Sequence, residues 1–248
     1  MTSIPSSTNV LGALFRADMT TQWRNRRSAV LSLLVPVIML ISFKNFVSVV
    51  GAAYVMSTSI TIGIAASCLM GYTNALARDR DKGIFQRLRV APMPTWAIMM
   101  SRLGVQLVTI VVSVLGVYVI GFYIDHIQLT PAAYGFGMLA ALIAASAYLG
   151  LGQLIVGLVK NPETVNSTTR LVYLSLIIIG LFGERGGLGE EMKTITKWSP
   201  YGTVKSVLAA ALEPGAWTHD STIALLATLG YAVVFTAAGI RNFSWTSR

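Results

Sequence analysis

Few side chains in this 248-residue chain could do chemistry, and their spacing does not assemble a reactive centre. Cys68 is the single cysteine and lies in an apolar run, which excludes a disulfide framework and a cysteine-based metal site. His126 and His219 are the two imidazoles, too few for a zinc centre. There is no HExxH, no GxSxG, no intramembrane carboxylate pair and no Cys/His couple, and all 10 carboxylates lie outside the apolar runs. Asp79 and Asp81 are close in sequence, but Arg78, Arg80 and Lys82 flank them. They therefore read as solvated ion-pair partners rather than as an acid/base couple. A GxxxxGK(S/T) phosphate loop is also missing, so nucleotide hydrolysis by that mechanism is excluded. The expectation is a chain that is not an enzyme.

The composition says where such a chain resides. Hydrophobic residues make up 54% and charged residues only 12%, with a mean hydropathy of +0.66. Soluble domains carry about 25% charged residues, so disorder and nucleic-acid binding are excluded and an integral membrane protein is indicated. A membrane helix needs about 20 mainly apolar residues. The apolar runs predict six spans, at about 28–46, 52–77, 103–124, 134–159, 162–182 and 221–240. In the first, the long stem of Lys44 can snorkel, letting the helix run past it. The fifth begins in polar sequence, with Asn161 as N-cap, Pro162 at the first helical position and Glu163 in the first turn. Together these predict an all-α, polytopic fold forming one domain over 1–248.

Charge placement predicts the orientation. With the N-terminus cytoplasmic, 14 of the 19 Lys and Arg residues face inward and five outward: Lys44, Arg185, Lys193, Lys197 and Lys205. That asymmetry is the positive-inside pattern of a multi-pass plasma-membrane protein with both termini cytoplasmic. It also accounts for the net charge of +9 without a nucleic-acid partner, because the excess faces anionic membrane lipid. Residues 1–27 lack the apolar core of a secretory signal.

Three segments outside the spans carry patterns of their own. In 9–27, Leu11, Phe15, Met19 and Trp23 recur every four residues ahead of an arginine cluster, which predicts an interfacial helix. The loop 78–94 alternates charges, then offers Ile84, Phe85 and Leu88 as a small apolar face between Gly83 and Pro92. It reads either as a docking surface for another protein or as a plain positive-inside loop. The stretch 184–220 is too long for an idle connector. In it, Met192, Ile195 and Trp198 have helical spacing. Ser199-Pro200 then opens a second segment, where Val204, Val207, Leu208, Ala211 and Leu212 form an apolar stripe. These predict a short pair of outer-leaflet helices before the last span.

Six spans in about 250 residues, an amphipathic N-terminal helix and a charged–Gly–apolar–Arg-Leu–Pro loop together resemble the permease subunits of the ABC type-two exporter family. Gly83, Arg87, Leu88 and Pro92 match the family's loop, with Asp79 and Asp81 where Glu is common, and Ser199-Pro200-Tyr201 is similar to its Pro-Tyr segment. The usual Pro- and Trp-rich opening before that segment is replaced by Gly183-Glu184-Arg185-Gly186-Gly187. The resemblance implies half of an ATP-driven, drug- or lipid-exporter-like transporter. It implies a second permease subunit (homo- or heterodimer) and separate ABC ATPase subunits as partners. No cofactor belongs to this chain, since ATP and Mg would sit on the ATPase. Residues 78–94 would then be the ATPase-coupling loop, using Asp79, Asp81, Gly83, Ile84, Phe85, Arg87, Leu88 and Pro92.

In the resembled family, spans one, two and five line the pathway. Span two is rich in hydroxyls, which suggests Met56, Thr58 and Asn74 as pathway residues, joined by Asn166 and Arg170 of span five. Such hydroxyls equally satisfy backbone carbonyls between packed helices, and Arg170 equally snorkels to the surface. A lining without fixed charge suits a small amphiphilic substrate. The rival readings are a secondary transporter or channel that does not use ATP, and a membrane lipid-modifying enzyme.

Overall fold

The computed structural model describes residues 7–24, 26–86, 95–187 and 189–242, which are helices joined by short turns and irregular segments such as 126–130. Arg87, Leu88 and Pro92 of the charged loop lie outside the described residues. Ten helices are used below: α1 (Ser7–Arg24), α2 (Arg26–Ser42), α3 (Val47–Val50), α4 (Ala52–Asp81), α5 (Thr95–Ile124), α6 (Pro131–Leu158), α7 (Pro162–Gly183), α8 (Glu190–Trp198), α9 (Pro200–Leu212) and α10 (His219–Asn242). Among the described residues, five helices are long and apolar enough to cross a membrane, or six if a bent pair in the first apolar run counts as one. The protein is an all-α polytopic membrane protein.

The starts of three helices are set by a repeated dipeptide. Thr130-Pro131, Asn161-Pro162 and Ser199-Pro200 each place a capping oxygen before a proline, which has no N–H to leave unpaired. Thr130 Oγ1 accepts from the Ala133 N–H at 3.2 Å. Asn161 Oδ1 accepts from Glu163 at 2.8 Å and Thr164 at 3.3 Å. Ser199 Oγ accepts from Gly202 at 3.1 Å. At α10, Thr218 and Ser221 cap each other's N–H groups, both at 3.3 Å.

The first apolar run departs from a single straight span. Its helix does not run through Lys44: Leu33–Ser42 and Lys44–Val50 meet at 47°. Ser42 Oγ donates back to the Ile38 carbonyl at 2.7 Å, and a 3-10 turn follows over Lys44–Phe46. Side chains that bond their own helix backbone weaken its continuation.

Helix α4 is the centre of the bundle and the most buried span. Helix α2 crosses it where Pro36 meets Gly63, and a Cβ on Gly63 would collide with the proline ring. Gly63→Val is therefore expected to destabilise the fold by about 2 kcal/mol through overpacking, measured as a lower thermal midpoint in detergent. Small residues also let α6 and α10 run side by side along most of their length: Gly150 and Gly157 face α10, and Gly239 faces α6.

Two π-helical turns, Ala66–Tyr72 in α4 and Ile179–Gly183 at the end of α7, have no counterpart in the sequence patterns. The first is marked by Thr73 Oγ1 bonding the Cys68 carbonyl five residues back at 2.9 Å.

Helix α9 differs most from expectation. Its stripe suggests one buried face, yet 10 of its 13 residues, including Lys205, are buried, against α4, α6 and α10. The reason lies in its small residues, since Gly202, Ala210 and Ala211 let neighbours close over the remaining faces.

Candidate functional site

Polar groups in this bundle collect at three levels along α4. Halfway along, Gln106 of α5 donates to Ser67 Oγ at 2.7 Å, and Gln153 of α6 donates to the Tyr72 hydroxyl at 3.2 Å. Both partners belong to the π turn. Widening the helix there turns side chains toward α5 and α6 at a depth where unpaired polar groups are costly.

At the C-terminal end of α4, Arg80 is 4% exposed, which overturns its expected place on a solvated charged face. Arg80 continues the buried face of Thr73, Leu76 and Ala77 by one helical step. Its guanidinium donates to the Val156 carbonyl at 2.6 Å, Val159 at 2.8 Å and Lys160 at 2.6 Å. These are carbonyls that the end of α6 leaves without helical partners. One side chain thus caps α6 and fixes the turn into α7.

Asp79 does not pair with the arginines flanking it, because a helix directs neighbouring side chains apart. It forms a short ion pair with Arg102 of α5 instead. Arg102 also lies 4.0 Å from Asp18 of α1, and Ser101 Oγ donates to Asp18 at 2.5 Å. Phe85, expected on an exposed docking face, has 0% exposure, with Arg102 stacked over its ring at 5.3 Å. The correction has a simple cause: Gly83, at φ +66°, ends the helix and lets the chain turn back on the bundle, so its apolar residue packs inward. Ile84 is half-buried and Asp81 exposed. A single joint therefore ties α1, the end of α4 and the start of α5 together. On α1, Leu11, Phe15 and Met19 are half-buried, with Phe15 against Gly104 of α5, while Trp23 is exposed.

At the opposite end, Lys205 of α9 is 3% exposed and ion-paired with Glu184, just beyond α7. Its ammonium lies 3.4 Å from the ring centroid of Tyr54 in α4, and Tyr54 donates its hydroxyl to Glu184 at 3.4 Å. Burial holds the Lys205 ammonium down at about 8, with Glu184 only partly opposing the shift. Gly180 makes this packing possible, because a Cβ there would collide with the Tyr201 ring. Beside the cluster is a cavity of about 410 Å³ lined by Val50, Tyr54, Lys205, Ala209, Glu213 and Ala224 among others. A separate apolar groove of about 370 Å³ lies between α6, α9 and α10, with Phe136, Leu139 and Trp217 on its walls.

The expected pathway residues do not form one constellation. Met56 and Thr58 are buried inside the chain, and Thr58 donates its hydroxyl to the Tyr54 carbonyl at 2.7 Å. About 24 Å further along α4, Asn74 Oδ1 accepts from Thr169 of α7 at 3.4 Å. Thr169 in turn bonds the Asn166 carbonyl at 3.0 Å. Arg170 is exposed next to them. Asn74 thus meets Thr169 where α4 and α7 converge, with Asn166 one turn before Thr169 on the same helix. Arg80, Arg102, Asp18, Lys205 and Glu184 were not singled out by motif. The available signal was a cation recurring at helical spacing on an apolar face, as Lys205 does between Tyr201 and Leu208.

Among the described residues no group of three or more His, Cys, Asp or Glu side chains is placed to hold a metal ion. The described residues form a helical bundle with polar joints at its two ends. The sequence matches the ABC-2 type transporter family over residues 9–212. It is also 26% identical, over 200 residues, to a putative transport permease of Bacillus subtilis (strain 168), YvfS, covering 77% of this chain and 81% of that protein. The chain belongs to the ABC-2 type transporter family: it is a multi-pass membrane permease, not an enzyme.

Proposed function

We propose that the chain is half of an ATP-driven exporter, paired with a second permease subunit and driven by separate ATPase subunits. The observation that carries this reading is the joint of Asp18, Asp79, Arg102 and Phe85. It links the N-terminal helix, the root of the charged loop and α5, so a push on the loop reaches a spanning helix directly. Asp79, Asp81, Gly83, Ile84, Phe85, Arg87, Leu88 and Pro92 form the coupling segment in this reading. Phe85 anchors it from inside, and the exposed charges near it meet the ATPase.

The 14-to-5 charge asymmetry supports cytoplasmic termini, which puts the Arg80–Arg102 end inside and the Lys205 end outside. In that orientation α1 serves as the interfacial helix, and α8 and α9 are the outer pair. Asn74, Asn166 and Arg170 face the pathway, with Met56 and Thr58 packed behind it. The uncharged faces beside them suit a hydrophobic or amphiphilic substrate. Leu171, Leu174, Ile178 and Phe182 give α7 an exposed apolar face that fits a second subunit.

The test is to purify the chain from its native membrane and look for a copurifying ATPase. An ATPase stimulated by amphiphilic compounds is the expected result, and transport by the chain alone, without ATP, would overturn it. Asn74→Leu is expected to lower that stimulation severalfold.

A further inference from the structure

Lys205 is an expensive residue to bury. A lysine ammonium is strongly hydrated, and a buried ion pair commonly costs more in lost hydration than its attraction returns. Here Glu184 remains 36% exposed while Lys205 is almost wholly enclosed, so the hydration loss falls on one partner. The cluster also sits where four parts of the chain meet: α9 through Lys205, the start of α4 through Tyr54, the end of α7 through Glu184, and the adjoining turn through Arg185, which lies 5.3 Å from the Tyr54 ring. The cavity of about 410 Å³ opens beside it. One more group there is held out of water: the hydroxyl of Tyr201, 1% exposed, has no hydrogen-bond partner among the described residues.

We propose that Lys205, Tyr54 and Glu184 form an access gate at this end of the permease, closed as seen here and driven open by hydration of the Lys205 ammonium. The mouth of the cavity at Glu213–Asp220 is already exposed, and swinging α9 away from Tyr54 and Glu184 extends it inward between α4 and α9 and returns the lysine to water. The inference rests on the permease reading, but its test needs neither transport nor an ATPase.

The sign of the charge dependence follows from the geometry. In the closed state the ammonium loses its proton near pH 8, whereas a solvated lysine holds it to about 10.4. Between those values the closed state binds fewer protons, so raising the pH favours closure and protonation favours opening. The charged and titratable groups around Lys205 are Glu184, Arg185, Tyr54 and Tyr201, with Lys193 and Lys197 on α8. Lys197 is engaged by Asp220 at 2.7 Å, and Glu213 lies on the cavity wall.

Two substitutions at one ion pair should then act in opposite directions. Lys205→Met keeps the shape and removes the hydration drive, so the gate stays shut. Glu184→Gln leaves the buried ammonium without its counter-ion, so the gate opens. Nitroxide labels at Val49, which is 77% exposed, and at Ala209 on the cavity wall report the gap by dipolar distance measurement in lipid nanodiscs. Relative to the parent at pH 7, Glu184→Gln is expected to raise the ratio of long to short distances about tenfold, and Lys205→Met to abolish the long population. In the parent the long population falls as pH rises from 7 to 10. Lys205→Arg, which stays charged throughout, keeps its long population over that range and supplies the comparison if Glu184→Gln does not fold. Shifts of Lys205→Met and Glu184→Gln in the same direction, no shift in either, or a pH response that survives in Lys205→Arg would overturn the gate.

Discussion

Arg80→Ala is expected to destabilise the folded permease by about 3 kcal/mol. A hydrogen bond to a charged group is worth roughly 1.5–3 kcal/mol, and this guanidinium makes three of them to backbone carbonyls. Alanine would strand the buried Val156 carbonyl and release the half-exposed turn at Val159 and Lys160, so the loss exceeds that of an ordinary surface arginine. The measurement is the thermal midpoint of purified protein in detergent, with the monodisperse fraction recovered from membranes as a second readout. Arg80→Lys should recover only part of the loss. An ammonium is a compact point charge, whereas the guanidinium fork spans three carbonyls contributed by Val156, Val159 and Lys160. A lysine variant as stable as the parent would mean that charge alone, and not the fork, holds this junction.

Under the proposed exporter function, Arg102→Ala and Asp79→Ala are each expected to reduce ATP-driven transport about tenfold, and the double variant no further. Groups that act as one unit show such non-additivity, with interaction energies of roughly 0.5–3 kcal/mol. The pair is largely shielded, and Arg102 holds Asp18 of α1 and the ring of Phe85 besides Asp79, so its removal disconnects three elements at once. Protein yield and thermal midpoint should fall less than in Arg80→Ala, because Arg102 and Asp79 keep 17% and 22% of their side-chain surface exposed, whereas Arg80 is 4% exposed. That contrast separates a coupling joint from a structural one. Transport is measured in inverted vesicles that also carry the proposed ATPase partner. A double variant a hundredfold slower, the product of the single losses, would show that the two residues act independently.

The contrast between Arg80 and Asp79 also marks the limit of reading charge from local pattern. Both belong to the run Arg78-Asp79-Arg80-Asp81-Lys82, where alternating signs invite pairing between neighbours. A helix sends adjacent side chains about 100° apart, so Asp79 reaches α5 and Arg80 reaches α6. Neither partner is within 20 residues of it in sequence. Phe85 shows the same limit for apolar groups: its place in a charged loop suggests exposure, while the reversal at Gly83 returns it to the core.

Membrane residence, the all-α class and the starts of α7 and α9 were written in the chain itself, because they depend on local quantities: apolar run length, a capping oxygen followed by proline, and the few charges between. The contact of Asn74 with Thr169 was not expected, since Thr169 carries no motif of its own. The broken first helix, the π turns, the burial of α9 and the destinations of Arg80, Arg102 and Lys205 were decided in three dimensions. Each of these depends on what a distant helix presents at the point of contact: a glycine where a ring must pass, an unpaired carbonyl where a guanidinium can reach, a carboxylate beside an enclosed ammonium. Such pairings join residues far apart along the chain, and no local periodicity encodes them.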